Sequence, residues 1–313
     1  MSRLSVVLPA YNEEQILAKT CRTLKEILSF SEIEYELVFV DDGSSDKTWN
    51  VIEKVSKEDR NISGIHFSRN FGKEAAIIAG LAQASGDAVA VMDCDLQHPP
   101  ETLVKMFLLW RQGFEVIEGV KKSRGKESRI HGKSAGFFYR IMSGATGFDM
   151  KNASDFKLLD RKAVESVLSM PERNMFFRAA SSWVGFKSTS VYYERHERIA
   201  GESHYPLNKM LALAFDGITS LSIKPIRMIT CLGSCIAILS FCGVVWSIVM
   251  ALLGKTVAGW ASMVCIVAFI GGIQLVCLGV LGEYIGKIYL EVKHRPRYII
   301  SCLLYTSPSP RDA

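Results

Sequence analysis

Two aspartates stand one residue apart in VMDCDLQHPP (91–100), at the end of an apolar run. The run reads as a buried strand, and Pro99 with Pro100 marks where the chain leaves it. Asp93 and Asp95 therefore sit at a strand end. Carboxylates so close repel each other and raise each other's pKa unless a cation or hydrogen-bond donors offset the charge. One reading is cation binding; the other is turn formation, which Asp favours for backbone reasons alone.

The elements that must position this pair separate the two readings. LSVVLPA reads as a strand, NEEQILAKTCRTLKEIL as a helix, YELVFV as a strand, and DDGSSDKTWNVIEKVS as a turn opening a helix. GIHFS and DAVAVMD are further strands around the helix pattern KEAAIIAGLAQA. This alternation predicts βαβ units and a mainly parallel sheet with right-handed crossovers. Such sheets bind ligands at the carboxyl ends of their strands. Asn12 and Glu13, Asp41 and Asp42, and Asp93 and Asp95 all fall at those ends. Turn chemistry explains any one of these sites, but explains less well why three share one edge.

An acidic edge needs a partner. Mg²⁺ or Mn²⁺ takes oxygen ligands and is usually held by one or two carboxylates together with substrate phosphates. There is no GxxxxGK[ST] loop, and no GxGxxG follows the first strand. What remains is a nucleotide diphosphate bound through acidic strand ends, with a divalent cation at D-x-D. His66, His98 and His196 lack metal-ligand spacing and are expected to be structural or exposed. Cys94, between the aspartates, should point away from them by strand alternation. Trp110, Phe137, Phe138, Phe176 and Phe177 are expected in the core.

The chain has 313 residues and a formal charge of +5, whose placement matters more than its size. No charged residue occurs in 228–254 or in 256–282. Each run exceeds the roughly 20 apolar residues that cross a hydrocarbon core as a helix. Two transmembrane helices are expected, joined near Lys255. Core helices would need more surrounding chain than remains. Lys224 and Arg227 precede the spans and Lys287, Lys293, Arg295 and Arg297 follow, so both ends should face the cytoplasm, with Trp260 at the far interface. With no long apolar N-terminal segment, no signal peptide is expected and the first part should stay cytosolic. Two spans without internal charge are poor material for a channel or flippase. Five of the eight cysteines lie in the spans, and no CxxC pair suggests zinc or redox work.

VVLPAYNEE, VFVDDGSSDKT, RNFGKEAAIIAGL, MDCDLQHPPE, SDFKLLDR and ERNMFFR resemble, in that order, the family 2 glycosyltransferases that act on polyprenyl phosphates. These include bacterial polyprenyl-phosphate glucosyltransferases and dolichyl-phosphate mannose synthases. GGIQLVCLGVLGEYIGKIYLEVKHRP extends the likeness to the paired spans and favours the bacterial branch. The resemblance implies an α/β GT-A cytosolic domain followed by two transmembrane helices. It implies contacts from Pro9, Tyr11, Glu13 and Asp41 to the nucleoside of a nucleotide sugar, with Arg198 near the segment closing over the diphosphate. Asp93 and Asp95 would hold the metal with Gln97 close by, Asp95 and Asp155 being the catalytic pair. Arg124 would meet the acceptor phosphate. Ser154 stands where the family often has Gly, and His204 where Lys is common.

The basic run 121–133, including Arg129 and Lys133, would draw in a lipid phosphate and anionic headgroups. The partners expected are a nucleotide-sugar donor, a polyprenyl-phosphate acceptor and membrane lipids, with no nucleic acid; a homo-oligomer is left open. The expected function is transfer of a hexose, glucose from UDP-glucose, to undecaprenyl phosphate at the cytoplasmic membrane. The alternatives are a mannose transferase using GDP-mannose and an inactive membrane-anchored nucleotide-sugar binder. The expected divisions are a catalytic domain at 1–205, a segment at 206–227 lying along the membrane or packed on the sheet, a hairpin at 228–286, and a basic tail at 287–301. Residues 302–313 resemble an in-frame translation of a sequencing adapter and are expected to lie outside the fold, the natural chain ending near Ser301 or running on a little further.

Overall fold

The computed structural model describes residues 2–122, 154–172, 176–194, 224–254 and 259–304. They fall into two units, one comprising 2–122, 154–172, 176–194 and 296–304, the other 224–254 and 259–295.

The first unit is built on an eight-stranded sheet of order β7-β5-β6-β4-β1-β2-β3-β8. Strands β1 (Arg3–Ala10), β2 (Glu34–Asp41), β3 (Ile62–Phe67) and β4 (Ala88–Val91) are parallel. Strand β5 (Val116–Lys121) is parallel to β7 (Ser188–Tyr193). Strand β6 (Lys157–Asp160) is reversed, antiparallel to both β4 and β5. This direction matters for the site. Ala10 faces Asp41 across β1 and β2, and Val91 faces Lys157. Residues just before β6 therefore emerge at the edge where β1, β2 and β4 end.

Alternation along β1 sends Leu4, Val6 and Leu8 to one face and Val7 to the other. On the first face pack α1 (Leu17–Phe30), α2 (Thr48–Glu58) and α4 (Glu101–Arg111). On the second pack α3 (Lys73–Gln83), α5 (Arg161–Leu168) and α6 (Phe177–Trp183). Burying both faces is why these strands read as continuous apolar runs. Helix α1 starts at Leu17, later than the apolar spacing suggests. Asn12 adopts φ +56°, and the Glu13 and Glu14 amides donate to Thr48 Oγ1 and Asp46 Oδ2. The turn residues are thus committed to the neighbouring loop.

The sheet also takes in residues that the sequence reading set apart. Strand β8 (Ile300–Leu304) pairs antiparallel with β3. Leu304 packs on one core and Leu303 on the other. Residues 302–304 therefore belong to the fold, because alternating apolar side chains met an open strand edge.

In the second unit, α7 (Lys224–Leu252) and α8 (Trp260–Val292) are the two long apolar helices. Spans of 25 and 24 residues, with mean hydropathy 2.2 and 1.6, are long and apolar enough to cross a membrane. The apolar windows are 0% buried, so neither is the core helix of a soluble domain. Thr230 and Ser234 turn their hydroxyls back to Ile226 O and Thr230 O, at 3.0 and 2.8 Å, as polar groups in an apolar helix must. Helix α8 runs past Gly286, so the start of the expected basic tail is helical. Most of 206–227 lies outside the described residues.

Candidate active site

A cleft of about 300 Å³ opens at the carboxyl edge of the sheet. Its lining includes Pro9 at the end of β1, Tyr11 and Glu13 after it, Asp42 after β2, Lys73 after β3, and Asp93 and Asp95 after β4. Five of the expected site residues thus line one cavity.

Two loops are knitted together to form one wall. Asn12 Oδ1 accepts from the Ser45 amide at 2.9 Å, and the Asn12 amide donates to Ser44 Oγ at 2.9 Å. Lys47 N donates to Glu14 Oε2, also at 2.9 Å. Asp41 is fully buried beneath them. Its Oδ1 accepts from the Ser44 amide at 3.0 Å, and its Oδ2 lies 2.8 Å from His66 Nδ1. The Asp41 carboxylate faces inward, and it is Asp42 that lines the cleft. Asp42 accepts from Phe71 N at 2.7 Å and Gly72 N at 2.9 Å. Burial pushes its pKa up, against the pull of those two amides. The pairing holds the Asn70–Phe71–Gly72 turn and so sets where Lys73 begins α3.

Lys73 Nζ lies 2.6 Å from Asp93 Oδ1 and 2.9 Å from Asp155 Oδ2. Arg178, on α6, grips Asp155 from the other side, Nε to Oδ1 at 2.6 Å and Nη2 to Oδ2 at 2.8 Å. Burial would raise the Asp155 pKa, but the Arg178 hydrogen bonds and the Lys73 charge outweigh it and hold the carboxyl well below the usual range. Asp155 reaches this edge only because β6 is reversed. The hydroxyl of Ser154, in the family's glycine position, accepts from Phe156 N at 3.1 Å and shapes the turn.

Around this row sits a second layer. Glu74 accepts from Phe177 N at 2.8 Å, and burial pushes its pKa up to about 7. Lys157 is fully buried, 2.5 Å from Glu118 and 2.8 Å from Ser181 Oγ. Its Nζ also donates to the carbonyl of Arg178 at 3.3 Å. Burial lowers the Lys157 pKa against the pull of Glu118. These contacts fix the helix that presents Arg178.

Asp95 Oδ1 accepts from the Gln97 amide at 3.1 Å. Gln97 is buried, below the cleft wall rather than in it. Leu96 takes φ +55°, bending the chain between them. Cys94 is buried yet lines the same cleft as the two aspartates, because β4 ends at Val91 and the alternation expected to turn it away does not extend to it. His66 stacks on Trp49 and His98 on Phe156. Phe177 is core, as expected, whereas Trp110 is only partly buried against the core on the opposite face of the sheet, its Nε1 donating to Asp160 at 2.8 Å. Arg124, Arg129, Lys133, Phe137, Phe138, His196, Arg198 and His204 lie outside the described residues.

Among the described residues no three His, Cys, Asp or Glu groups could hold a metal by themselves. Asp93 and Asp95 nonetheless suit Mg²⁺ or Mn²⁺, hard ions that take one or two carboxylates and complete their shell with water and phosphate oxygens. The site fits a cation that arrives with a diphosphate.

A profile of glycosyl transferase family 2 matches residues 5–168. The chain belongs to glycosyl transferase family 2. A Bacillus subtilis relative described as the uncharacterized glycosyltransferase YkcC is 42% identical over 95% of this chain and 92% of its own length. The bactoprenol glucosyl transferase of Shigella phage SfV is 40% identical over 95% of this chain and 98% of its own. Among solved structures, mannosyl-3-phosphoglycerate synthase from Rubrobacter xylanophilus superposes with a TM-score of 0.50. It shares 15% identity over 72% of this chain and 74% of its own, a likeness of fold alone. The family membership makes the chain a glycosyltransferase of GT-A-like fold.

The sequence reading gave no role to Lys73, Glu74 or Arg178, although each stands within a quoted motif. The available signal was a charged pair, Lys73–Glu74, opening an otherwise apolar helix.

Proposed function

We propose that this chain transfers glucose from UDP-glucose to undecaprenyl phosphate at the cytoplasmic face of the inner membrane. The observation that carries the reading is the convergence of Asp93, Asp95, Asp155, Lys73 and Arg178 on one cleft edge. Relatives named as bactoprenol glucosyl transferases and two exposed apolar helices support the lipid acceptor.

Pro9, Tyr11 and Glu13 take the nucleoside side of the donor. Asp41 acts beneath them, through Ser44 and His66. Asp93 and Asp95 would hold Mg²⁺ or Mn²⁺, and the ion would supply Lewis-acid stabilisation of the leaving diphosphate. Arg198 closes on the diphosphate, while Arg124, Arg129 and Lys133 receive the acceptor phosphate. A lipid phosphate is anionic near neutral pH and attacks without a strong base. Asp155 suits a different task. Held ionised by Arg178 and Lys73, it orients sugar hydroxyls and stabilises positive charge developing at the anomeric carbon.

The test incubates membranes containing the protein with labelled UDP-glucose, UDP-galactose, UDP-GlcNAc and GDP-mannose, then extracts lipid. Label should enter lipid from UDP-glucose, and EDTA or Asp95→Asn should abolish it. Label from GDP-mannose alone would replace the donor assignment, and full activity in EDTA would remove the metal.

A further inference from the structure

We infer that Lys73 is a built-in competitor for the divalent cation, occupying Asp93 until a donor diphosphate brings the metal in. The inference rests on the reading of Asp93 and Asp95 as the metal carboxylates. It begins from an oddity of placement. Lys73 is the first residue of α3, the helix end where a positive charge is disfavoured by the macrodipole. Two anions hold it there, Asp93 at 2.6 Å and Asp155 at 2.9 Å. The turn before it is pinned by Asp42 through the Phe71 and Gly72 amides. The backbone thus delivers the ammonium to this place, and its side chain, 42% exposed, keeps room to leave.

An ammonium on Asp93 Oδ1 and a divalent cation on the same carboxylate repel each other. Metal binding is therefore opposed by the Lys73–Asp93 pair and displaces it. The Lys73–Asp155 contact does not involve the metal carboxylates and survives. With only two carboxylates to offer, the free protein then binds the cation weakly, and diphosphate oxygens must supply the remainder. A cleft built this way has its Asp93 charge offset without metal and admits metal and donor together.

The experiment measures Mn²⁺ binding by electron paramagnetic resonance on the full-length protein in detergent, without nucleotide. Lys73→Gln should bind Mn²⁺ on the order of tenfold more tightly than wild type, since one opposing charge beside the ion is gone. Lys73→Arg, which keeps the charge, should stay as weak as wild type. Lys73→Met replaces Lys73→Gln should the latter fail to fold. Adding Asp95→Asn to Lys73→Gln should erase the gain. Equal affinity in wild type and Lys73→Gln would overturn the competition while leaving the metal reading to its EDTA test. A gain that survives Asp95→Asn would place the ion elsewhere and overturn both.

Discussion

Asp155 illustrates how neighbours decide what a carboxylate can do. Gripped by Arg178 and Lys73, its pKa lies well below the usual range, so it is ionised throughout the working pH. A general base would impose its own pKa on the rate; this group titrates too low to do so. We expect Asp155→Asn to lower turnover by about 10²–10³, while the wild-type pH series with saturating substrates shows no acidic limb beyond ionisation of the lipid phosphate. Arg178→Lys loses the two-pronged grip, so the Asp155 pKa should rise and an acidic limb move toward the assay range. An acidic limb in wild type that vanishes in Asp155→Asn would restore the base. The sign for stability follows the same logic: the folded pKa is depressed, so the ion pair stabilises above the unfolded pKa and is lost as pH falls through the folded one. Asp93 and Asp95 were legible from sequence because a strand end and a doublet of like charges are local facts. Lys73 and Arg178 were not, because their meaning lies in partners at Asp155, far along the chain.

Loop packing gives the Tyr11–Glu13 side of the cleft its shape. Gly43 shows how tight that packing is. It takes φ +66°, and a Cβ there would lie 2.3 Å from the Arg69 backbone carbon. Gly43→Ala should therefore cost more than about 1 kcal/mol, lower the melting temperature and raise the donor KM. The same melting temperature and KM as wild type would show that the turn has room to shift. The alternation of strand and helix was readable from the sequence as far as β4, where apolar runs and turn residues announce each element. The reversed β6 was not, since SDFKLLDR carries no mark of strand direction. Direction is set by pairing with β4 and β5, a tertiary choice. The start of α1 was misjudged for a related reason: Glu13 and Glu14 fit a helical pattern, yet their amides are taken by the β2–α2 loop.

The chain joins a glycosyltransferase unit to two helices with 0% of their apolar windows buried. Basic residues flank both spans on the outer sides of the pair, and the proposed function requires both ends to face the cytosolic nucleotide sugars. With native cysteines replaced, Lys255→Cys should react with an impermeant thiol reagent from outside the cell, and Lys293→Cys should not; the reverse pattern would invert the topology. The return of the chain as β8 has a consequence for how the molecule is made. Strand β3 ends at Phe67 and its edge partner begins at Ile300. During synthesis the β3 edge stays unpaired until both apolar helices have left the ribosome. An open strand edge invites pairing with other chains, and a pairing so distant in sequence forms late. Slow emergence of the two helices would then prolong the exposure of a sticky edge on the catalytic unit.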